Sequence, residues 1–173
     1  MIYVLHVQTG RELAIRDELK RRYIRAMVPR EICLERRKGK TERRERTIMP
    51  GYVFIDIVLD LKTYYMIRNV PYVIKFLNDG NPVALSEKEA EYITWLNNGG
   101  KPLEPSYLNP DGTLMAGPLK SYEKSIVSMN KRARRAKLLI DLMGKQHEVS
   151  LSVTAAIIGG GDSGGDLKFG TLL

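Results

Sequence analysis

The chain is poor in the residues from which most metal and catalytic centres are built. Its 173 residues hold one cysteine, Cys33, and two histidines, His6 and His147. A single thiol excludes a disulfide within the chain, and no Cys/His cluster is available to hold zinc. Cys33 stands between Ile32 and Leu34 and reads as a small core or strand residue. Neither histidine has a nucleophile or a base nearby in a catalytic pattern, so both read as structural, and neither an enzyme nor a cofactor is expected. Long apolar runs are missing too. No stretch approaches the about 20 residues that a membrane span needs. Met1-Ile2-Tyr3-Val4 runs straight into a strand-like pattern, with no signal peptide. A monomer in a reducing cytoplasm is the expected setting. Gly159-Gly160-Gly161 lacks the Lys-Ser/Thr of a phosphate-binding loop and reads as linker composition.

Acidic residues are also in deficit: 20 against 28 basic ones, a net charge of +8. Such a surplus favours polyanions but says nothing about fold. Two basic runs concentrate it. The first, Arg36 to Arg46, holds seven basic residues and two acidic ones. Arg36, Arg37, Lys38, Lys40, Arg43 and Arg44 are candidate contacts to DNA or RNA phosphates. A solvated hairpin is the competing reading, because Glu35, Glu42 and Glu45 dilute the field. The second run, Lys131-Arg132-Ala133-Arg134-Arg135, joins two expected strands, so its side chains should fan out from a hairpin tip. Arginine holds phosphate with two prongs and pairs with guanine edges, which makes Lys131, Arg132, Arg134 and Arg135 candidate RNA ligands. Lys120 and Lys137 extend the patch, and Tyr122 offers a stacking ring. An ordinary polar turn is the alternative.

Periodicity supplies the framework. Ile2 to Val7 reads as a strand. Thr9-Gly10-Arg11-Glu12 has the form of a capping box, and Ile15, Leu19 and Tyr23 form the apolar stripe of the helix after it. Residues 28–48 read as two extended segments around Lys38-Gly39-Lys40. Pro50-Gly51 then interrupts the chain. After it Tyr52, Phe54, Asp56 and Val58 face one way, and Val53, Ile55 and Ile57 the other. A short helix over 61–69 is limited by Pro71, a strand follows over 72–77, and 78–82 read as a turn. Ser86-Glu87-Lys88-Glu89 is a second capping box, with Leu85 and Ala90 placed as a hydrophobic staple for a helix that stops near Asn98-Gly99-Gly100. The first domain, 1–98, thus reads β-α-β-β-β-α-β-α. Residues 99–112 read as a linker. Short strands over 113–116, 125–129, 137–142 and 147–152 suggest a small, partly closed barrel within 113–157, followed by a Gly-rich tail, 158–173.

Several of these pieces resemble the NusG family of transcription elongation and antitermination factors. They are Tyr3-Val4-Leu5-His6-Val7-Gln8-Thr9-Gly10-Arg11-Glu12, Val28-Pro29-Arg30, Pro50-Gly51-Tyr52-Val53-Phe54, Arg68-Asn69-Val70-Pro71 with Phe76-Leu77, and Pro82 with Leu85-Ser86-Glu87. Their order and spacing carry the resemblance. Gly117-Pro118-Leu119-Lys120 and Ser125-Ile126-Val127 resemble the KOW domain, although Ser121 and Lys124 stand where glycine is common. The resemblance implies an α+β chain: an antiparallel NusG-type sheet flanked by helices, plus a small all-β, SH3-like KOW barrel. It also implies docking on the β′ clamp helices of RNA polymerase, at positions matching Tyr3, Tyr52, Phe54 and Tyr65. Filling the domain's own core is the competing role for each ring. The departures in the barrel point away from the general elongation factor, and the whole chain looks most like the LoaP branch of operon-specific antiterminators. That branch implies polymerase binding by the first domain and recognition of a structured nascent RNA, such as a hairpin, by the second. Two alternatives stand beside it. One is a general elongation factor whose KOW domain binds a ribosomal protein or Rho; the other is a ribosome-associated RNA-binding protein.

Overall fold

A computed structural model describes residues 1–78 and 81–156. The expected tail, 158–173, and two residues of the 78–82 turn lie outside the described residues. The chain divides into two compact units. One holds Met1–Arg30, Thr47–Pro102 and Ile140–His147; the other holds Glu31–Arg46, Leu103–Leu139 and the chain from Glu148 onward.

In the first unit, β1 (Ile2–Val7) leads to α1 (Glu12–Arg21) and β2 (Arg25–Met27). Next in the chain come β3 (Arg30–Arg37) and β4 (Lys40–Thr47), which pair as a two-stranded sheet, with an isolated parallel bridge from Glu31 to Leu103. The first unit resumes with β5 (Tyr52–Asp56), α2 (Leu61–Arg68), β6 (Val73–Phe76) and α3 (Glu87–Asn97). The sheet has the order β2-β5-β1-β6 and is antiparallel. Register pairs Leu5 with Val53 and Tyr3 with Ile55. Inward residues of those strands join Ile15, Leu19, Ile67 and Phe76 in one buried cluster. Each such side chain contributes about 1.5–3 kcal/mol on leaving water. β2 was not anticipated: three residues are too few to show an alternation.

Both ends of α1 differ from the expectation. Thr9 does not cap the helix; Arg11 occupies that position, with no side-chain cap. Glu12, buried at the helix start, instead accepts the backbone N–H of Gly10 at 2.9 Å and of Gly51 at 2.7 Å. The Pro-Gly turn is thus tied to α1, and Gly51 takes a left-handed φ of +85° against Thr9. At the other end the apolar stripe does not continue to Tyr23, which is fully exposed. Tyr23 sits at φ +60°, donating its N–H to the Lys20 carbonyl, while Ile24 donates to Leu19. This is the Schellman arrangement, and Ile24 fills the core position assigned to Tyr23. The second capping box forms as expected: Ser86 Oγ accepts from Glu89 N–H, and the Glu89 carboxylate accepts from Ser86 N–H at 2.8 Å.

In the second unit the segment read as a linker carries a strand, β7 (Ser106–Leu108). It pairs in parallel with β11 (Lys145–Ala155) and antiparallel with β8 (Leu114–Ala116). With β9 (Ile126–Asn130) and β10 (Arg135–Leu142) these complete a five-stranded sheet, order β8-β7-β11-β10-β9, of the SH3-like KOW type. Along β10, Ala136, Leu138, Ile140 and Leu142 are buried in strict alternation. Gly117 has φ +111°, and a Cβ there would lie 2.6 Å from Ser106 Cα, so the turn after β8 needs glycine to seat on β7. Ser121 and Lys124 take no left-handed conformation, so their lack of glycine costs the loop nothing.

Candidate functional site

The turn between β9 and β10 is built around Asn130, whose Oδ1 accepts the Ala133 N–H at 2.8 Å. Arg134 closes it at φ +55°, a conformation that costs a non-glycine residue about 1–2 kcal/mol. Arg132 is exposed and Arg134 half-buried, and neither guanidinium forms an ion pair among the described residues. Lys131 Nζ reaches back to the Asp111 carbonyl at 2.8 Å. Lys120 pairs with Glu123 and Lys137 with Glu148, each at 2.8 Å, while Tyr122 is half-buried in the short 3-10 segment Pro118–Ser125.

Arg135 is placed differently. Its guanidinium turns from the tip onto Glu31, 2.8 Å away, and donates to the hydroxyls of Ser150 and Ser152 at 2.9 Å and to the Ser150 carbonyl. Glu31 is 1% exposed, accepts the Ser152 N–H at 2.8 Å and lies 3.7 Å from Arg46. Burial pushes the neighbouring Cys33 thiol up, against a hydrogen bond with Ser152 that lowers it. Sequence reasoning did not single out Glu31. The available signal was its position: Glu31 and Cys33 share one face of β3, and Cys33 reads as a core or strand residue.

The β3–β4 hairpin forms the expected basic arm. One terminal guanidinium nitrogen of Arg43 donates to both carboxylate oxygens of Glu104, at 2.7 and 2.8 Å, and Arg44 lies 3.8 Å from Glu35. Arg36, Arg37, Lys38 and Lys40, at its tip, are exposed and form no ion pair among the described residues.

The four candidate rings separate in the first unit. Phe54 is fully buried and Tyr3 is 8% exposed, on opposite faces of the sheet: Tyr3 pairs with Ile55 in the cluster around α1, and Phe54 pairs with Val4 on the other face. Tyr52 is half-buried between the rings of His6 and His147, at 5.8 and 6.1 Å. Tyr65 is 57% exposed, its edge against Tyr64. Near it in sequence, Leu61 and Val58 are also exposed. Among the described residues no group of His, Cys, Asp and Glu is arranged to hold a metal, and no helix is long and apolar enough to cross a membrane.

Comparison with known proteins adds an independent line. The family described as "Transcription termination factor nusG" matches residues 2–94. The transcription termination/antitermination protein NusG of Yersinia pestis is 27% identical over 150 residues, covering 83% of each chain. That of Halalkalibacterium halodurans is 26% identical over 170 residues, covering 88% of this chain and 94% of the relative. A solved structure of Thermotoga maritima NusG shares the fold with a TM-score of 0.54 and 20% identity, over 88% of this chain and 93% of that one. The ordered strands, the Gly51 turn locked to Glu12 and the family match over more than half of the chain lead to one conclusion: this chain belongs to the NusG family of transcription termination and antitermination factors.

Proposed function

We propose that this chain is an operon-specific antitermination factor of the LoaP type. Its first unit binds the β′ clamp helices of RNA polymerase, with Tyr65 and Tyr52 as contact rings. The β9–β10 turn binds a structured nascent RNA. The observation that carries this reading is the pair Arg132 and Arg134. Two unneutralised guanidinium groups stand on one hairpin turn, and the backbone under one of them is strained. That left-handed residue closes the turn, its N–H donating to the Lys131 carbonyl and its carbonyl accepting the Val153 N–H. Phosphates and guanine edges use the paired donors of such guanidinium groups.

Electrophoretic mobility shift with structured leader RNAs tests the reading. Replacing Arg132→Ala together with Arg134→Ala removes two contacts of about 1–3 kcal/mol each, so affinity falls at least about 30-fold. Binding to purified polymerase is unchanged. A variant that holds RNA as tightly as the parent, or loses polymerase equally, refutes this division of labour and favours a general factor whose barrel binds proteins.

A further inference from the structure

We infer that the β3–β4 arm and the β9–β10 turn form one composite RNA-binding surface, held together by buried Glu31, that grips a single RNA stem at two places. This inference rests on the RNA-binding reading of the turn and extends it to a second contact. Both elements belong to the same compact unit. Contacts that anchor the arm within that unit include Glu31 on Arg135, the Ser152 N–H on Glu31, Arg43 on Glu104, and the Ile32 N–H on the Leu103 carbonyl at 2.8 Å. The pair Glu31–Arg135 links the base of the arm to the first residue after the turn. Arg134 adjoins that pair directly. At the other end, the strand from Glu31 to Lys38 reaches about 23 Å at 3.3 Å per residue. Two clusters of unpaired cations are therefore held within that distance of one buried ion pair. A stem of about 16 base pairs, the span typical of double-stranded-RNA modules, is long enough to meet both; a short stem meets one. Glu31 acts as a positioning residue, keeping the second grip close so that it adds to the first as avidity.

The test uses the full chain and a hairpin RNA selected from a library with a randomised loop and a stem of about 16 base pairs, alongside the same loop on about 6 pairs. Replacing Arg36, Arg37, Lys38 and Lys40 by alanine should lower the salt slope of long-stem binding by about 3, and leave the short stem untouched. Glu31→Gln should weaken the long stem about 100-fold and the short stem little, which general loss of folding would not do. Overturning results are an arm variant equal to the parent on both stems, or equal binding of a DNA duplex with the same stem sequence. If the Arg132 and Arg134 variant still loses RNA in that case, only the composite surface fails. If it also binds normally, the RNA reading beneath it fails as well.

Discussion

Replacing both partners of the Glu31–Arg135 pair should cost less than the two single replacements added together. Glu31 is 1% exposed and the Arg135 side chain 17%, so each charge depends on the other for solvation. Removing one partner of such a pair leaves the other uncompensated, a loss of about 3–5 kcal/mol when both are buried. Here Arg135 keeps some water and the hydroxyls of Ser150 and Ser152, so Glu31→Gln should fall near the lower end, about 3 kcal/mol. Arg135→Met leaves Glu31 with Arg46, 3.7 Å away, and the Ser152 N–H, and should cost a similar amount. The double variant replaces an ion pair by neutral groups of similar size and should lose much less than the sum. A coupling of about 2 kcal/mol is expected for residues in direct contact. For a chain of this length each kcal/mol shifts the midpoint by about 2–4 °C, so each single variant should melt about 6–12 °C lower. Urea titration followed by circular dichroism measures the cycle. Hydrogen exchange at the Ser152 amide, whose acceptor is Glu31, localises it to this unit. Strict additivity, or single costs below about 1 kcal/mol, would refute the claim that the two charges solvate each other.

Two further predictions concern stability. Tyr23→Gly should stabilise the chain by about 1 kcal/mol, because the residue is fully exposed, packs against nothing in the core and holds a left-handed φ that glycine adopts without strain; denaturant unfolding at or below the parent value would contradict this. Burial raises the Glu89 carboxyl, but bonds from Ser86 and Met143 outweigh it and leave the group below its ordinary value of 4.5. A depressed carboxyl contributes stability that is present above 4.5 and is lost as pH falls through the folded-state value. Glu89→Gln should therefore flatten the acid limb of the stability curve, and an unchanged limb would assign acid sensitivity elsewhere.

Local chemistry was legible where a few adjacent residues decide the outcome. The Ser86 capping box, the Pro50-Gly51 turn and the alternating strand after it needed no distant partner to be recognised. Legibility failed where the deciding partner lies far along the chain. β7 has three residues and exists because β11, some fifty residues later, supplies its ladder. Tyr23 was missed for a local reason: it fits a four-residue stripe as well as Ile15 and Leu19, yet the helix ended first and Ile24 took the buried place.

The basic runs were plain in composition, but composition treats every arginine as equal. Which arginines meet solvent depended on tertiary neighbours: Arg135 found Glu31, and Arg43 found Glu104. Most of the elements and the location of positive charge follow from the sequence, because periodicity, caps and turns act over a few residues, and the family resemblance follows from the order of short motifs. The division of that charge between charges bound within the fold and charges left available to a partner was decided only when distant segments met. An ion pair's strength depends on distance and burial, and neither exists until the chain has folded.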